Sequence, residues 1–311
     1  MQWPYCLIDA DWDRRIGLEK IKELVAYAKQ KNVKLILWYN SSGSWNTVKY
    51  TPKNKFLTAE SREAEFKILA DMGISGVKID FFGGDGQSMI AYYQDILEAA
   101  AKHKILVNFH GATLPRGWER TYPNLMTTEA IKGFEFITFF QEVADLAPSH
   151  CALLPFTRNL YDPMDFTPMS LDKIPNINRR TTSAFELALP TLFLSGIQHL
   201  AETPDGMAKM PEYVKDYLKA LPTDWEESKL LAGYPGKDVV MARRKGNNWY
   251  ITGINGENKA KDINIDLTFI KANEGYMITD GTNELFSKTT VKPIETTTIH
   301  FKPYGGFIMK F

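Results

Sequence analysis

Apolar positions fall into short solid runs through the first half of the chain and into strict alternation near its end. Tyr5-Cys-Leu-Ile-Asp9 predicts a buried strand that ends in a carboxylate. Leu18, Ile21, Leu24, Val25 and Ala28 recur at three- and four-residue steps, which predicts a helix over residues 18–31. Val33-Lys-Leu-Ile-Leu-Trp-Tyr39 reads as a second strand, and residues 58–72 as a helix closed by Gly73. Gly76-Val-Lys-Ile-Asp80 is a strand that again ends in a carboxylate. A helix over 88–103 and a strand at Ile105-Leu-Val-Asn-Phe109 follow, and Leu125-Met-Thr-Thr-Glu129 gives the third strand with a terminal carboxylate. The segment 130–180 holds a predicted strand, Cys151-Ala-Leu-Leu-Pro-Phe156, and a proline-rich loop. Residues 181–195 read as a helix with Pro190 as a point of kinking, and Ile197-Gln-His-Leu200 as one more strand.

Short strands alternating with helices predict a parallel sheet covered by helices. Asp9, Asp80 and Glu129 end three different strands, where the loops of a (β/α)₈ barrel gather its chemistry. The alternative is an open doubly wound sheet, which favours a glycine-rich turn after the first strand. Ala10-Asp-Trp-Asp13 has no glycine, so the barrel is preferred. The strands predicted up to residue 201 are one fewer than a barrel requires, and the missing one is expected before Met1. Near residue 235 the pattern changes. Asp238-Val-Val-Met-Ala, Asn248-Trp-Tyr-Ile-Thr, Asp262-Ile-Asn-Ile-Asp-Leu and Thr297-Thr-Ile-His-Phe alternate with period two between Asn, Gly and Lys turns. The expected organisation is therefore a barrel domain over 1–234, short at its N-terminal side, and a small antiparallel β-sandwich over 235–311.

Composition narrows the function classes. Lys plus Arg and Asp plus Glu both total 37, so the formal charge is zero and no field steers a nucleic acid. A hydrophobic fraction of 44% with 24% charged residues indicates a packed chain rather than a disordered one. No apolar run is long enough to span a membrane. The first residues, Met-Gln-Trp-Pro-Tyr-Cys, show no basic segment followed by an apolar one, so no signal peptide is visible. Cys6 and Cys151 allow at most one bridge, and no zinc, P-loop or nucleophile-elbow motif occurs. The five histidines lack metal-binding spacing; His110, at a strand end, serves equally well as a ligand contact or as a structural group.

Carboxylates are the remaining reactive groups, and Trp12, Trp38, Trp45, Phe81, Phe82 and Trp118 lie near them in sequence. Aromatic faces bind sugar rings, and paired carboxylates are the usual apparatus of glycoside hydrolysis. Asp80 stands out because a charge at the end of an apolar strand is costly to bury without a partner or a role. Lys78, two residues earlier, points to the same face and either holds Asp80 ionised or forms a structural ion pair.

These residues also carry a resemblance. Gly76-Val-Lys-Ile-Asp-Phe-Phe82, Asn108-Phe-His-Gly-Ala-Thr-Leu-Pro-Arg-Gly117, Asn124–Glu135, Leu154–Pro168 and Ser195–Leu200 resemble glycoside hydrolase family 97 in content and order over most of residues 1–205. The resemblance implies a calcium-dependent α-glycosidase whose barrel lies between an N-terminal β-sandwich and a C-terminal β domain. It implies that Asp80 is the nucleophile of the retaining branch, Glu135 the acid/base, and Glu129 with Glu135 ligands of Ca²⁺. Gly111 replaces the base glutamate of the inverting branch. Asp9, Trp38, Lys78, His110 and Arg116 are implied or candidate sugar contacts, and an α-linked galactoside is the expected substrate. Family members are about twice as long and usually exported. A barrel open at one side exposes strand edges that invite association with another chain or copy. Two other readings stay open: a non-catalytic sugar-binding or scaffold fragment, and an α-glucosidase.

Overall fold

The computed structural model describes residue 1, residues 3–282 and residues 285–311. It contains two compact units, Met1–Ala130 and Ile131–Phe311.

The first unit alternates strand and helix. β1 (Tyr5–Ile8) leads through a short helix α1 (Trp12–Arg15) into α2 (Leu18–Gln30), then β2 (Lys34–Asn40), α3 (Ala59–Met72), β3 (Gly76–Asp80), α4 (Gln87–Lys102), β4 (Leu106–Phe109) and β5 (Leu125–Thr128). The five strands are parallel and lie in chain order, the arrangement of part of an α/β barrel. The helix boundaries follow local chemistry. Thr58 accepts the Ser61 amide while Ser61 answers the Thr58 amide, a reciprocal cap at the start of α3. Gly73 ends that helix at φ 84, a left-handed position that costs a glycine little.

Alternation along the strands gives the sheet two different faces. Leu35, Leu37, Tyr39, Val77, Ile79, Val107 and Phe109 belong to one buried apolar cluster with Ile21 of α2, Phe66 and Leu69 of α3, and Tyr93, Ile96 and Leu97 of α4. The intervening residues Trp38, Asn40, Lys78, Asp80, Asn108 and Thr127 point to the other face, because side chains alternate along a strand. Registry aligns them in rows: Trp38 beside Lys78, Lys78 beside Asn108, Asn108 beside Thr127.

The second unit opens with helices α5 (Phe134–Phe139), α6 (Gln141–Leu153), α7 (Arg158–Tyr161), α8 (Ser183–Leu192), α9 (Pro204–Ala208) and α10 (Glu212–Lys219). Antiparallel strands follow: β6 (Glu227–Tyr234), β7 (Asp238–Lys245), β8 (Asn248–Asn255), β9 (Lys261–Ile265), β10 (Gly275–Asp280), β11 (Phe286–Val291), β12 (Thr297–Phe301) and β13 (Gly306–Lys310). A six-stranded sheet, ordered β11-β10-β13-β8-β7-β6, faces the β12-β9 pair. Val240, Ile251, Phe307 and Met309 of the large sheet share a core with Ile265, Ile299 and Phe301 of the small one, which makes a sandwich. Its first strand, β6, had no clear alternation to announce it. No helix among the described residues is long and apolar enough to cross a membrane.

Two expected strands are not strands. Cys151–Phe156 is the end of α6 followed by a 3₁₀ turn, Leu154–Phe156. The buried positions Ala144, Ala147, Pro148, Cys151 and Ala152 show helical spacing that the short apolar run concealed. Residues 197–200 are irregular, in a segment that runs against 159–168: the Leu194 amide donates to Asn159 Oδ1 (2.7 Å), Met164 N–H to the Leu194 carbonyl (2.8 Å), and Ala201 N–H to the Pro168 carbonyl (3.0 Å). Among the described residues the parallel strands therefore number five, not seven. Cys6 and Cys151 are free thiols rather than a bridge.

Helix α8 is buried along its whole length and is held at both ends by the large sheet. Asp280, ending β10, accepts the Ala184 amide (3.0 Å) and the Thr182 hydroxyl (2.8 Å). The Arg243 guanidinium donates to the carbonyls of Thr191 and Leu192, both at 2.8 Å, satisfying acceptors that a helix end leaves open. Burial lowers that guanidinium to about 10.

Two outcomes follow. A Cβ at Gly306 would lie 2.5 Å from Phe185 Cα and 2.8 Å from the Ala184 carbonyl, both backbone of α8. Gly306→Ala is expected to destabilise the chain by about 1–3 kcal/mol, read as a lower urea midpoint at unchanged m-value. Burial raises the Glu186 carboxyl, against the opposing pull of Arg179 and the Thr181 and Ser170 hydrogen bonds. A raised folded value means that its contribution is full at acid pH and is lost as pH climbs through that value. Glu186→Gln should therefore lose less stability than the parent as pH is raised from about 4 in matched denaturation series.

Candidate active site

The polar face of the parallel sheet collects the expected residues of the first unit at the C-terminal strand ends. Asp80 is the last residue of β3 and is 9% exposed. Both of its carboxylate oxygens are held. The Phe81 amide donates to Oδ1 at 2.7 Å, and Trp38 Nε1 donates to Oδ2 at 3.3 Å from the neighbouring strand. Trp38 is 2% exposed, its ring edge-on to that of Phe81 with centroids 5.9 Å apart. In this structure Trp38 therefore supports the carboxylate.

Phe81 adopts φ 69, the left-handed region. For a bulky residue that conformation costs roughly 1–2 kcal/mol. It turns the chain sharply as it leaves β3. The Phe82 amide donates to the Gly111 carbonyl (3.0 Å), linking the loop after β3 to the loop after β4. Gly111 adopts φ 49. A Cβ there would lie 2.7 Å from Asp80 Oδ1 and 2.8 Å from the Phe81 nitrogen. A side chain at 111 and the observed Asp80 carboxylate therefore exclude each other.

Glu129 directly follows β5 and is buried. Its Oε2 accepts the Gly111 amide (2.8 Å), and its Oε1 lies 3.5 Å from His110 Nδ1. His110 is itself 3% exposed and anchored through its amide to the Ile79 carbonyl (2.9 Å). One glycine thus joins three strand ends: its amide holds Glu129, its carbonyl holds Phe82, and its bare Cα leaves room for Asp80.

The other expected residues lie around this centre. Lys78 is buried on β3, and its Nζ is 3.7 Å from Oδ2 of the exposed Asp9. Arg116 is half exposed, and donates to the Leu114 carbonyl (2.9 Å) and to Asp85 (3.1 Å). A surface pair of this kind contributes at most about 1 kcal/mol and ties two loops together. Trp12 and Trp118 belong to the apolar cluster behind the sheet. Glu135 belongs to the second unit, in the first turn of α5; it is exposed, and its carbonyl accepts the Thr138 hydroxyl (2.7 Å).

Sequence reasoning passed over Asn40, Asn108 and Thr127, buried polar residues of the same face. A signal was available, since a polar residue recurs at every second position towards the ends of β2, β3, β4 and β5. It also missed the loop after β2, where Ser41 and Asn46 join Trp45 beside Phe81.

Gly111→Ala tests this geometry without reference to activity. The variant should lose at least about 1 kcal/mol in denaturant unfolding, from strain and overlap together. Its crystal structure should show the Asp80 carboxylate displaced from the Phe81 amide.

Comparison with known proteins matches both units. The family model for glycoside hydrolase 97 matches residues 6–131, and the model described as glycosyl-hydrolase 97 C-terminal, oligomerisation matches residues 224–311. A "probable retaining alpha-galactosidase" of Streptomyces bingchenggensis is 37% identical over 262 residues, covering 81% of this chain and 38% of that protein. A "retaining alpha-galactosidase" of Bacteroides thetaiotaomicron is 30% identical, covering 98% of this chain and 48% of that protein. The crystal structure of a β-arabinopyranosidase superposes with a TM-score of 0.95 at 37% identity, covering 99% of this chain and 50% of that one. The chain spans less than half the length of these two curated relatives. It belongs to glycoside hydrolase family 97.

Proposed function

We propose that the chain carries the catalytic centre of a retaining glycosidase acting on terminal α-galactosides. The observation that carries this reading is the buried Asp80 carboxylate, held at both oxygens on the polar face of the sheet, with no room for a side chain at Gly111. The named relatives support the reaction class and the sugar.

Asp80 attacks the anomeric carbon as the bond from that carbon to the leaving oxygen breaks, and Glu135 gives its proton to that oxygen. A covalent glycosyl-enzyme results. Glu135 then takes a proton from water as the water attacks the same carbon and releases Asp80, so two inversions give net retention. Trp38 and the Phe81 amide keep the nucleophile oriented before and after the ester forms. Lys78, Asp9, His110 and Arg116 are assigned to sugar hydroxyls at the rim and floor of the face.

Ca²⁺ is part of the proposal. The buried Glu129 carboxylate offers the hard oxygen that this cation prefers, and Glu135 supplies a second carboxylate six residues on; oxygens from elsewhere must complete a shell of six to eight. When bound, the cation would stabilise negative charge and polarise hydroxyl groups near it. Association with another chain or copy is also proposed: β1 has one strand neighbour, β2, among the described residues, and such an edge can accept a further strand. The C-terminal unit's match to a model described by oligomerisation supports assembly.

A second reading concerns the sugar. The similarity to a β-arabinopyranosidase favours testing β-L-arabinopyranosides, which share the ring stereochemistry of α-D-galactopyranosides but lack the C6 hydroxymethyl group.

The test uses aryl α-galactoside and aryl β-L-arabinopyranoside side by side, with added calcium. Early NMR should show the α-anomer of galactose released first. A 5-fluorogalactosyl fluoride should label Asp80, located by peptide mass spectrometry. Asp80→Ala should lower kcat/KM by at least about a thousandfold, with azide restoring turnover as the β-galactosyl azide. Label on another residue, or an Asp80→Ala variant as active as the parent, would refute the assignment.

A further inference from the structure

We infer that Ser41, Trp45 and Asn46, in the loop after β2, form a clamp on the Phe81 carbonyl that positions the Asp80 carboxylate. Its catalytic consequence rests on the reading of Asp80 as the nucleophile.

Three side-chain donors converge on that one carbonyl oxygen: the Ser41 hydroxyl at 2.9 Å, Trp45 Nε1 at 3.1 Å and Asn46 Nδ2 at 3.1 Å. The other end of the same peptide is also fixed, since the Phe82 amide donates to Gly111. The peptide between Phe81 and Phe82 is therefore pinned on both sides. With its carbonyl turned back towards β2 and the Phe81 amide turned towards Asp80, the residue between them must take the left-handed conformation observed. Phenylalanine does not choose that conformation unaided. Something outside the residue holds it, and the clamp is the contact that does so.

The clamp is itself built into the fold. Asn40, fully buried at the end of β2, accepts from Asn46 Nδ2 at 3.2 Å and orients it. Tyr92 of α4 donates its hydroxyl to the Ser41 carbonyl at 2.8 Å and packs its ring on Trp45, with centroids 5.5 Å apart. The Trp45 side chain sits where two glycines leave room. A Cβ at Gly43 would fall 2.2 Å from its ring, and one at Gly83 would fall 2.6 Å from its Cβ. Neither glycine has a positive φ, so for both the requirement is space. The three clamp donors meet the Phe81 carbonyl, and their action on the Asp80 carboxylate runs through the backbone of Phe81, whose amide donates to it.

The experiment pairs the clamp with the residue it constrains. Trp45→Phe with Asn46→Ala removes two donors and keeps an aromatic ring in the seat. In the full chain this pair should lower kcat on the aryl α-galactoside, and the rate of fluorosugar labelling at Asp80, by about tenfold or more, with KM within about twofold. In a Phe81→Gly background, where the left-handed conformation needs no support, the same pair should cost less than about twofold. Equal losses in both backgrounds would overturn the proposal. A crystal structure of the pair gives a readout that needs no activity: Phe81 should leave positive φ and its amide should part from Asp80. Retention of both overturns the clamp whatever the kinetics. Failure of the parent chain to be labelled at Asp80, with clamp geometry confirmed, would instead count against the functional reading.

Discussion

A carboxylate buried at the end of an apolar strand has to be answered by donors, and this requirement organises the parallel sheet. Asp80 takes one donor from the chain itself, at Phe81, and one from the next strand, at Trp38. The first donor is available because Phe81 bends into the left-handed region. The bend in turn depends on a glycine at 111 and on a packed loop after β2. A single buried carboxyl group thus fixes conformations on β2, β3 and β4, and through the Gly111 amide the network reaches Glu129 after β5. Unpaired, such a group would cost several kcal/mol, which explains why the surroundings are so fully specified.

The two faces of the sheet divide the work. The face that carries Leu37, Tyr39, Val77, Ile79 and Phe109 packs on the helices and supplies the hydrophobic stabilisation. The face that carries Trp38, Lys78, Asp80, Asn108 and Thr127 carries polar side chains in registered rows. Rigidity comes from the first face, and the candidate site lies on the second. A side chain on a packed strand also holds its position more closely than one on a loop.

The second unit solves a different problem. Helix α8 has no polar face to present to water, so it needs cover along its length and partners at both ends. The sandwich supplies both, with Asp280 at the N-terminal end and Arg243 at the C-terminal end. Glu186, inside the same helix, is kept by the Thr181 hydroxyl and the Ser170 amide at the cost of a raised carboxyl. Small residues such as Gly306 let the strand β13 approach α8 closely.

Much of this was legible from the residues alone. The helices over 18–31, 58–72 and 88–103 were visible because apolar spacing and end signals such as Gly73 are local properties. The strands ending at Asp80 and Glu129 were visible because a solid apolar run that stops at a carboxylate is itself unusual. The run Cys151–Phe156 was misread because a short apolar stretch fits strand and helix alike until the neighbouring turns decide. The hydrogen bond from Trp38 to Asp80 could not be read either, since an indole N–H finds its acceptor according to what lies across the sheet. The sequence by itself determined the alternation of elements, the polar and apolar faces, and the placing of Asp80 and Glu129 at strand ends. Only the tertiary structure decided which donors reach those carboxylates, because hydrogen bonds depend on distances between segments that lie tens of residues apart along the chain.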